Sequence, residues 1–175
     1  MSEPLRRDTL PVFPAPPDRP DCNDGWRLAI DGLVARRLVL DAQALRALPA
    51  AELAADFHCE EGWVVPGLHW RGVPISAVVA EAGPSAGARY LAVASGGFVA
   101  ALPLDAIGPA EPLLAYALNG EPLLREHGGP LRLVAAGLIC YRTVKWVDRI
   151  SILAEPPNET AQEQAARRSA RSPID

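Results

Sequence analysis

The chain has 175 residues, a hydrophobic fraction of 49% and a formal net charge of −4 at pH 7. This is one domain's length with enough apolar content for a real core, which excludes wholesale disorder. The charge gives no clustered basic footprint for nucleic acid, and no run approaches the ~20 apolar residues of a membrane span. Eighteen prolines and fourteen glycines imply many turns and few long helices.

Residues 1–24 read as a proline-rich arm, unsuited to helix or central strand. Arg6-Arg7 resemble the start of a twin-arginine export signal, but residues 8–17 offer no apolar stretch after them, so a solvated arm is the expectation. Residues 26–30 alternate like a half-buried strand, Asp31-Gly32 is a hairpin signal, and residues 35–40 are expected to return as its partner. Asp41 is placed to cap a short helix over 42–48, which Pro49 ends. Residues 53–59 read as a strand, leaving Cys59 at its end or in the loop beyond.

A helix is expected over 74–82, opened by Pro74 and stopped by Gly83. Strands over 89–95 and 98–102 flank Gly96-Gly97 as a second hairpin. Residues 113–118 are apolar and run into the Asn119-Gly120 turn, 131–135 is a buried strand, and 150–153 is the last strand. From residue 155 the chain turns polar, with no apolar face worth burying, so a frayed or weakly helical tail is expected. The expected organisation is an arm (1–24), one domain (25–154) and a tail (155–175). Many short strands with a few short helices indicate α+β, with mixed or mostly antiparallel sheets.

The three cysteines, Cys22, Cys59 and Cys140, form neither a disulfide framework nor a short-spaced zinc motif, and a reducing, cytoplasmic setting fits them best. Cys140 reads as core and Cys22 as incidental. Cys59 reads either as a small buried hydrophobe or as a reactive thiolate, the second because its flanks, His58 and Glu60-Glu61-Gly62, are polar and loop-like. A thiolate is soft and suits transition metals. Arg71, Arg132, Arg142 and Lys145 are candidate cations to stabilise it. A zinc site from Cys59, His58 and His69 has poor spacing.

His127, before Gly128-Gly129, reads as a loop-end ligand contact or as a surface residue. Arg132 alternates with Leu131 and Leu133, so it faces the other side of its strand, toward solvent or a cleft. Arg142, Thr143 and Lys145 place two cations and a hydroxyl in one short segment, a composition that suits an anion, or equally a solvated positive face. Phosphate-loop, dinucleotide, HExxH, nucleophile-elbow and haem-attachment motifs are all missing from the sequence.

Taken in order, Cys59-Glu60-Glu61-Gly62-Trp63, Trp70-Arg71-Gly72-Val73-Pro74-Ile75, Ser95-Gly96-Gly97-Phe98, Leu102-Pro103-Leu104, Asn119-Gly120-Glu121-Pro122-Leu123, Glu126-His127-Gly128-Gly129-Pro130-Leu131-Arg132-Leu133-Val134 and Tyr141-Arg142-Thr143-Val144-Lys145-Trp146-Val147 resemble the molybdopterin-binding domain of the sulfite oxidase family, including its bacterial methionine-sulfoxide-reductase-like branch. The resemblance covers roughly residues 26 to 153. It implies that family's fold and a molybdenum–molybdopterin cofactor that transfers an oxygen atom to or from a small substrate. Cys59 matches the thiolate that ligates molybdenum, and His127, Arg132, Arg142, Thr143 and Lys145 match positions around the pterin and its phosphate. An external electron-transfer partner is implied as well.

Three departures qualify the resemblance. Residues 12–23 lack the polar pair that an upstream loop supplies in the family, Glu60-Glu61 replace arginines that favour sulfite, and the family's C-terminal dimerisation domain is not expected within the polar tail after residue 154. The alternative expectation is a non-catalytic binding module that keeps the fold and docks a redox partner.

Overall fold

The computed structural model describes residues 4–12, 25–107, 111–137 and 140–169. In chain order the strands and helices are β1 (Leu5–Arg6), β2 (Leu28–Gly32), β3 (Leu38–Leu40), α1 (Ala42–Arg46), β4 (Ala51–Cys59), β5 (Trp63–Pro74) and α2 (Ile75–Ala82). They continue with β6 (Tyr90–Ser95), β7 (Phe98–Pro103), β8 (Leu113–Leu118), β9 (Glu121–Pro122), β10 (Arg132–Val134), β11 (Arg149–Leu153) and α3 (Thr160–Ser169). Among the described residues they form two mixed sheets joined by short helices, the α+β class expected from the sequence.

One sheet has the order β3-β2-β11-β6-β7, with β11 parallel to β2 and the other pairings antiparallel. Its inward residues, Leu28, Ile30, Leu91, Val93, Ile150 and Ile152, are buried with Ile75, Val78 and Val79 of α2 in the larger core. The second sheet is built on β5, long enough to pair with β4 along one stretch and with β8 and β1 along others. Because side chains alternate across a strand, this sheet serves two cores. Leu114 and Leu133 face the larger one, while Leu113, Ala115 and Val134 join Trp63, Val65, Leu68 and Trp70 in a smaller one.

Gly72 sits at the irregularity where β5 crosses to β8, and a Cβ there would meet the Leu114 carbonyl oxygen and, at 2.6 Å, the Ala115 Cα. Both are backbone atoms and cannot rotate away. A Gly72→Ala protein is therefore expected to lose about 1–3 kcal/mol, measured as a lower urea midpoint at an unchanged slope.

Local chemistry explains several elements. Asp41 accepts a hydrogen bond from Ala44 N (2.8 Å) at the start of α1, and Gly83 closes α2 in the left-handed region at φ 67°. Asn119 and Gly120, at φ 52° and 85°, make the tight turn between β8 and β9.

Other expectations are corrected. The strand begun at Leu28 runs through Asp31 and Gly32, and residues 33–37 carry the connection to β3. Gly32 is needed there because a Cβ would meet the Ile152 backbone across the parallel pairing. Strand β5 was not foreseen, since Pro66, Gly67 and Gly72 break its pattern. Pro66 and Gly67 lie at a bulge against β4, where a missing donor is tolerated, and Asp56 there accepts from Gly67 N at 2.8 Å.

The arm is not wholly solvated. Leu5 and Arg6 pair in parallel with Trp63 and Val64, and Leu10 is buried. Residues 13–24 lie outside the described residues. The polar tail, expected to be frayed or weakly helical, forms α3, and the correction is its packing: Ala161 is fully buried, and Thr160 Oγ1 accepts from Val99 N and donates to Gly97 O.

Candidate functional site

Strands β4 and β5 form a hairpin whose last pair is Cys59 and Trp63, closed when Gly62, at φ 85°, donates its N–H to the Cys59 carbonyl at 3.0 Å. Along β4 the exposed side chains (Glu52, Ala54, Asp56, His58) alternate with half-buried ones (Leu53, Ala55, Phe57, Cys59). The half-buried set forms one wall of a cleft of about 310 Å³. Trp70 contributes to its lining, and the opposite wall is Val134, Ala135, Gly137, Cys140 and Thr143, from β10 and the turn after it.

Cys59 thus sits where a strand hands over to a turn, with its thiol in an open cleft. Its nearest reactive neighbour is Cys140, Sγ to Sγ 3.6 Å. The two share a proton. The hydrogen bond from Cys59 brings the Cys140 thiol down to about 6, while the same contact, followed by burial, pushes Cys59 up. Loss of the first proton from the pair is therefore favoured and loss of the second opposed. Cys140 was expected in the core. The structure instead turns it into the cleft through a short 3₁₀ turn, Cys140–Arg142, whose first carbonyl accepts from Thr143 N (3.1 Å) and Thr143 Oγ1 (2.6 Å).

Arg132 faces away from Leu133, as strand alternation requires, and is buried at 3% exposure. Its guanidinium lies over the Phe57 ring (5.0 Å) and the Trp70 ring (5.5 Å), directly behind the cleft lining. It donates to the His127 carbonyl (3.0 Å) and to Thr143 Oγ1 (3.1 Å), while Nε has no hydrogen-bond partner among the described residues. Burial draws Arg132 down to about 10, so it remains charged at neutral pH.

The other predicted residues are close in the fold but differently engaged. His127 has a buried Nδ1 without a hydrogen-bond partner among the described residues, and burial lowers its pKa. Lys145 stands against Gly128 and over the Trp146 ring at 5.6 Å, with Nζ 3.5 Å from the Glu126 carbonyl. Trp146 donates its backbone N–H to Gly128 O and its indole N–H to Arg125 O, so the His127 and Lys145 segments are tied together. Neither residue lines the cleft.

Arg142 does not line it either. It grips Glu159 through Nε (2.9 Å) and Nη2 (3.0 Å), which raises its pKa, and so holds the 3₁₀ turn to the segment preceding α3. The pair is partly exposed, 31% and 15%. Arg142→Ala is expected to cost about 1 kcal/mol or less in global stability, yet to hasten proteolytic trimming of α3 several-fold, measured by mass spectrometry of timed digests.

Of the candidate cations, Arg132 interacts electrostatically with Cys140. Arg71 instead pairs with Glu52 at 3.6 Å on an exposed face. The zinc reading is not supported, because no group of three or more metal-ligating side chains occurs among the described residues. Sequence reasoning missed Cys140, Phe57 and Trp70. Only the position of Cys140, just before the cationic segment, could have signalled it.

The chemistry of the donor set suits a soft metal: two thiols in one open cleft, with a buried cation behind an aromatic floor. Comparison with known proteins agrees. The family profile described as "Oxidoreductase molybdopterin binding domain" matches residues 14–161. The chain is 37% identical over 131 residues to the uncharacterized oxidoreductase YuiH of Bacillus subtilis (strain 168), covering 74% of this chain and 66% of that protein. It is 30% identical over 166 residues to sulfite oxidase of Arabidopsis thaliana, covering 74% of this chain and 42% of that one. The crystal structure of the sulfane dehydrogenase SoxCD from Paracoccus pantotrophus superposes with a TM-score of 0.73 at 27% identity, over 80% of this chain and 41% of that chain. The chain therefore spans just under two thirds of the first relative and less than half of the second.

Proposed function

The chain belongs to the oxidoreductase molybdopterin-binding domain family, and from that premise we propose that it is a molybdenum-dependent oxidoreductase in which Cys59 is the protein's thiolate ligand to the metal. The observation that carries the assignment is the placement of Cys59, held by a hairpin end with its thiol in an open cleft in front of a buried guanidinium. The bound cofactor supplies two-electron oxygen-atom transfer, which no side chain of this protein performs.

The chain's own residues bind and orient. Cys59 holds the metal. Arg132 supplies a positive charge that water cannot screen, because Phe57 and Trp70 cover it. Thr143 fixes both Arg132 and the turn bearing Cys140. His127 and Lys145, laced together through Trp146 and Gly128, would hold the pterin end, with the unpartnered His127 Nδ1 available for a ligand contact. Arg142 acts through its grip on Glu159.

Glu60 lines the cleft mouth, and Glu61 beside it accepts from Trp63 Nε1 at 3.3 Å. Two carboxylates there oppose a dianion, so a neutral or cationic oxygen donor or acceptor suits the site better than sulfite. A soluble or membrane-bound redox protein would then exchange electrons with it, and a reducing, cytoplasmic setting would keep the thiols free.

The test is elemental analysis of protein from a host that makes the cofactor, with absorption spectra before and after reductant. Stoichiometric molybdenum and a reductant-sensitive thiolate band are expected. Metal-free, colourless protein would sink the assignment. It would favour instead a non-catalytic module, which the engagement of Arg142 by Glu159, away from the cleft, supports.

A further inference from the structure

Two thiols in direct contact can do more than hold a metal. Cys59 Sγ and Cys140 Sγ are 3.6 Å apart, on opposite walls of the cleft and 81 positions apart in sequence. Both residues are partly exposed, and the cleft is open to small molecules. Reaching the ~2.05 Å of a disulfide needs a shift of less than about 2 Å shared between two side chains. One side chain stands on the last position of a hairpin strand and the other on a single short turn, both places where a small displacement disturbs little else.

We propose that Cys59 and Cys140 are a reversible disulfide pair in the cofactor-free protein, and that only the dithiol form accepts the metal. The oxidant is a low-molecular-weight disulfide such as oxidised glutathione. One cysteine thiolate attacks a glutathione sulfur, forming a mixed disulfide and expelling one glutathione. The second cysteine attacks the protein sulfur of that adduct, forms the Sγ–Sγ bond and expels the other. Two protein thiols are oxidised and one glutathione disulfide is reduced to two glutathiones, with no net proton change.

Once Cys59 is in a disulfide it has no thiolate to offer, so bond and metal exclude one another. Oxidation would then hold the chain in a closed, unloaded form, and a reductant would license loading. Loading in turn would remove Cys59 from exchange. The loading half of this inference rests on Cys59 being the metal ligand; the disulfide half does not.

The experiment uses cofactor-free full-length protein carrying Cys22→Ser, so that Cys59 and Cys140 are the remaining cysteines. After incubation with oxidised glutathione, thiol titration is expected to fall from about two per chain to near zero. Intact mass should show an internal bond rather than a glutathione adduct, digestion should link the peptides bearing residues 59 and 140, and dithiothreitol should restore both thiols. Adding Cys140→Ser should convert the product to a glutathione adduct. The oxidised and reduced forms are then offered molybdenum cofactor, and bound metal is read by elemental analysis.

Two thiols persisting under oxidation, or glutathione adducts without the internal bond, overturn the pair. Equal loading of oxidised and reduced protein overturns the gating. A disulfide that forms normally in a protein whose reduced state takes up no molybdenum leaves the pair standing and overturns the metal assignment instead.

Discussion

Cys59→Ala protein, produced in a cofactor-making host, is expected to retain molybdenum at least about tenfold below wild type, since even supporting residues around a metal are commonly worth ten- to hundredfold. The sulfur is the soft donor the chain presents on the hairpin end, and Ala removes it without disturbing the β4–β5 pairing, which uses backbone groups. The thiolate absorption should vanish and the oxygen-transfer activity with it. Thermal unfolding should move little, because Cys59 is only half buried. Cys140 sits close enough to test whether it can substitute. Near-wild-type molybdenum in the single variant would refute the assignment of Cys59, while full loss only in the double variant would make Cys140 an alternate ligand.

The second large effect concerns Arg132. A buried guanidinium with no carboxylate partner among the described residues is costly, and its fall to about 10 corresponds to about 3 kcal/mol against the charged folded state. Two aromatic contacts of about 0.5–2 kcal/mol each oppose this cost, together with hydrogen bonds to His127 O and Thr143 Oγ1. The sum is close to balance. Arg132→Met, which keeps the stem volume, should therefore leave the cofactor-free protein within about 1–2 kcal/mol of wild type, measured by urea unfolding. The same change should lower molybdenum content about ten- to hundredfold. A loss of several kcal/mol in the cofactor-free protein with normal metal content would instead make Arg132 a strut of the smaller core, unconnected with the cofactor.

How much of this was legible in the sequence depends on whether the signal was local. Asp41, Gly83 and Asn119-Gly120 announce caps and a turn because their chemistry acts within a few residues, and each appears where expected. The alternation of Leu131, Arg132 and Leu133 foretold that the arginine turns away from the leucines. Strand β5 was hidden because Pro66, Gly67 and Gly72, breakers by local rules, are accommodated at two register irregularities that only the neighbouring strands define. The family-specific stretches located Cys59 and Thr143 at the cleft. They did not reveal that Arg142 turns to Glu159, since that partner lies in a tail whose polarity suggested no packing. Cys140 was misread because the apolar run before it resembles core, whereas the tight turn it opens points it at Cys59.

That tail has a practical bearing on any shortened version of the protein. Residues 159–169 are polar enough to invite removal, yet Glu159 grips Arg142, two positions beyond Cys140, and Thr160 ties down the β6–β7 turn at Gly97. The far wall of the cleft is therefore braced from the C-terminal side, while Cys59 is braced by β1 and β5 from the N-terminal side. Trimming or fusing at residue 155 would leave the hairpin intact and slacken the surface opposite it. Such a derivative would loosen the wall that carries Cys140 while leaving Cys59 in place, and a tag is better separated from residue 169 by a spacer.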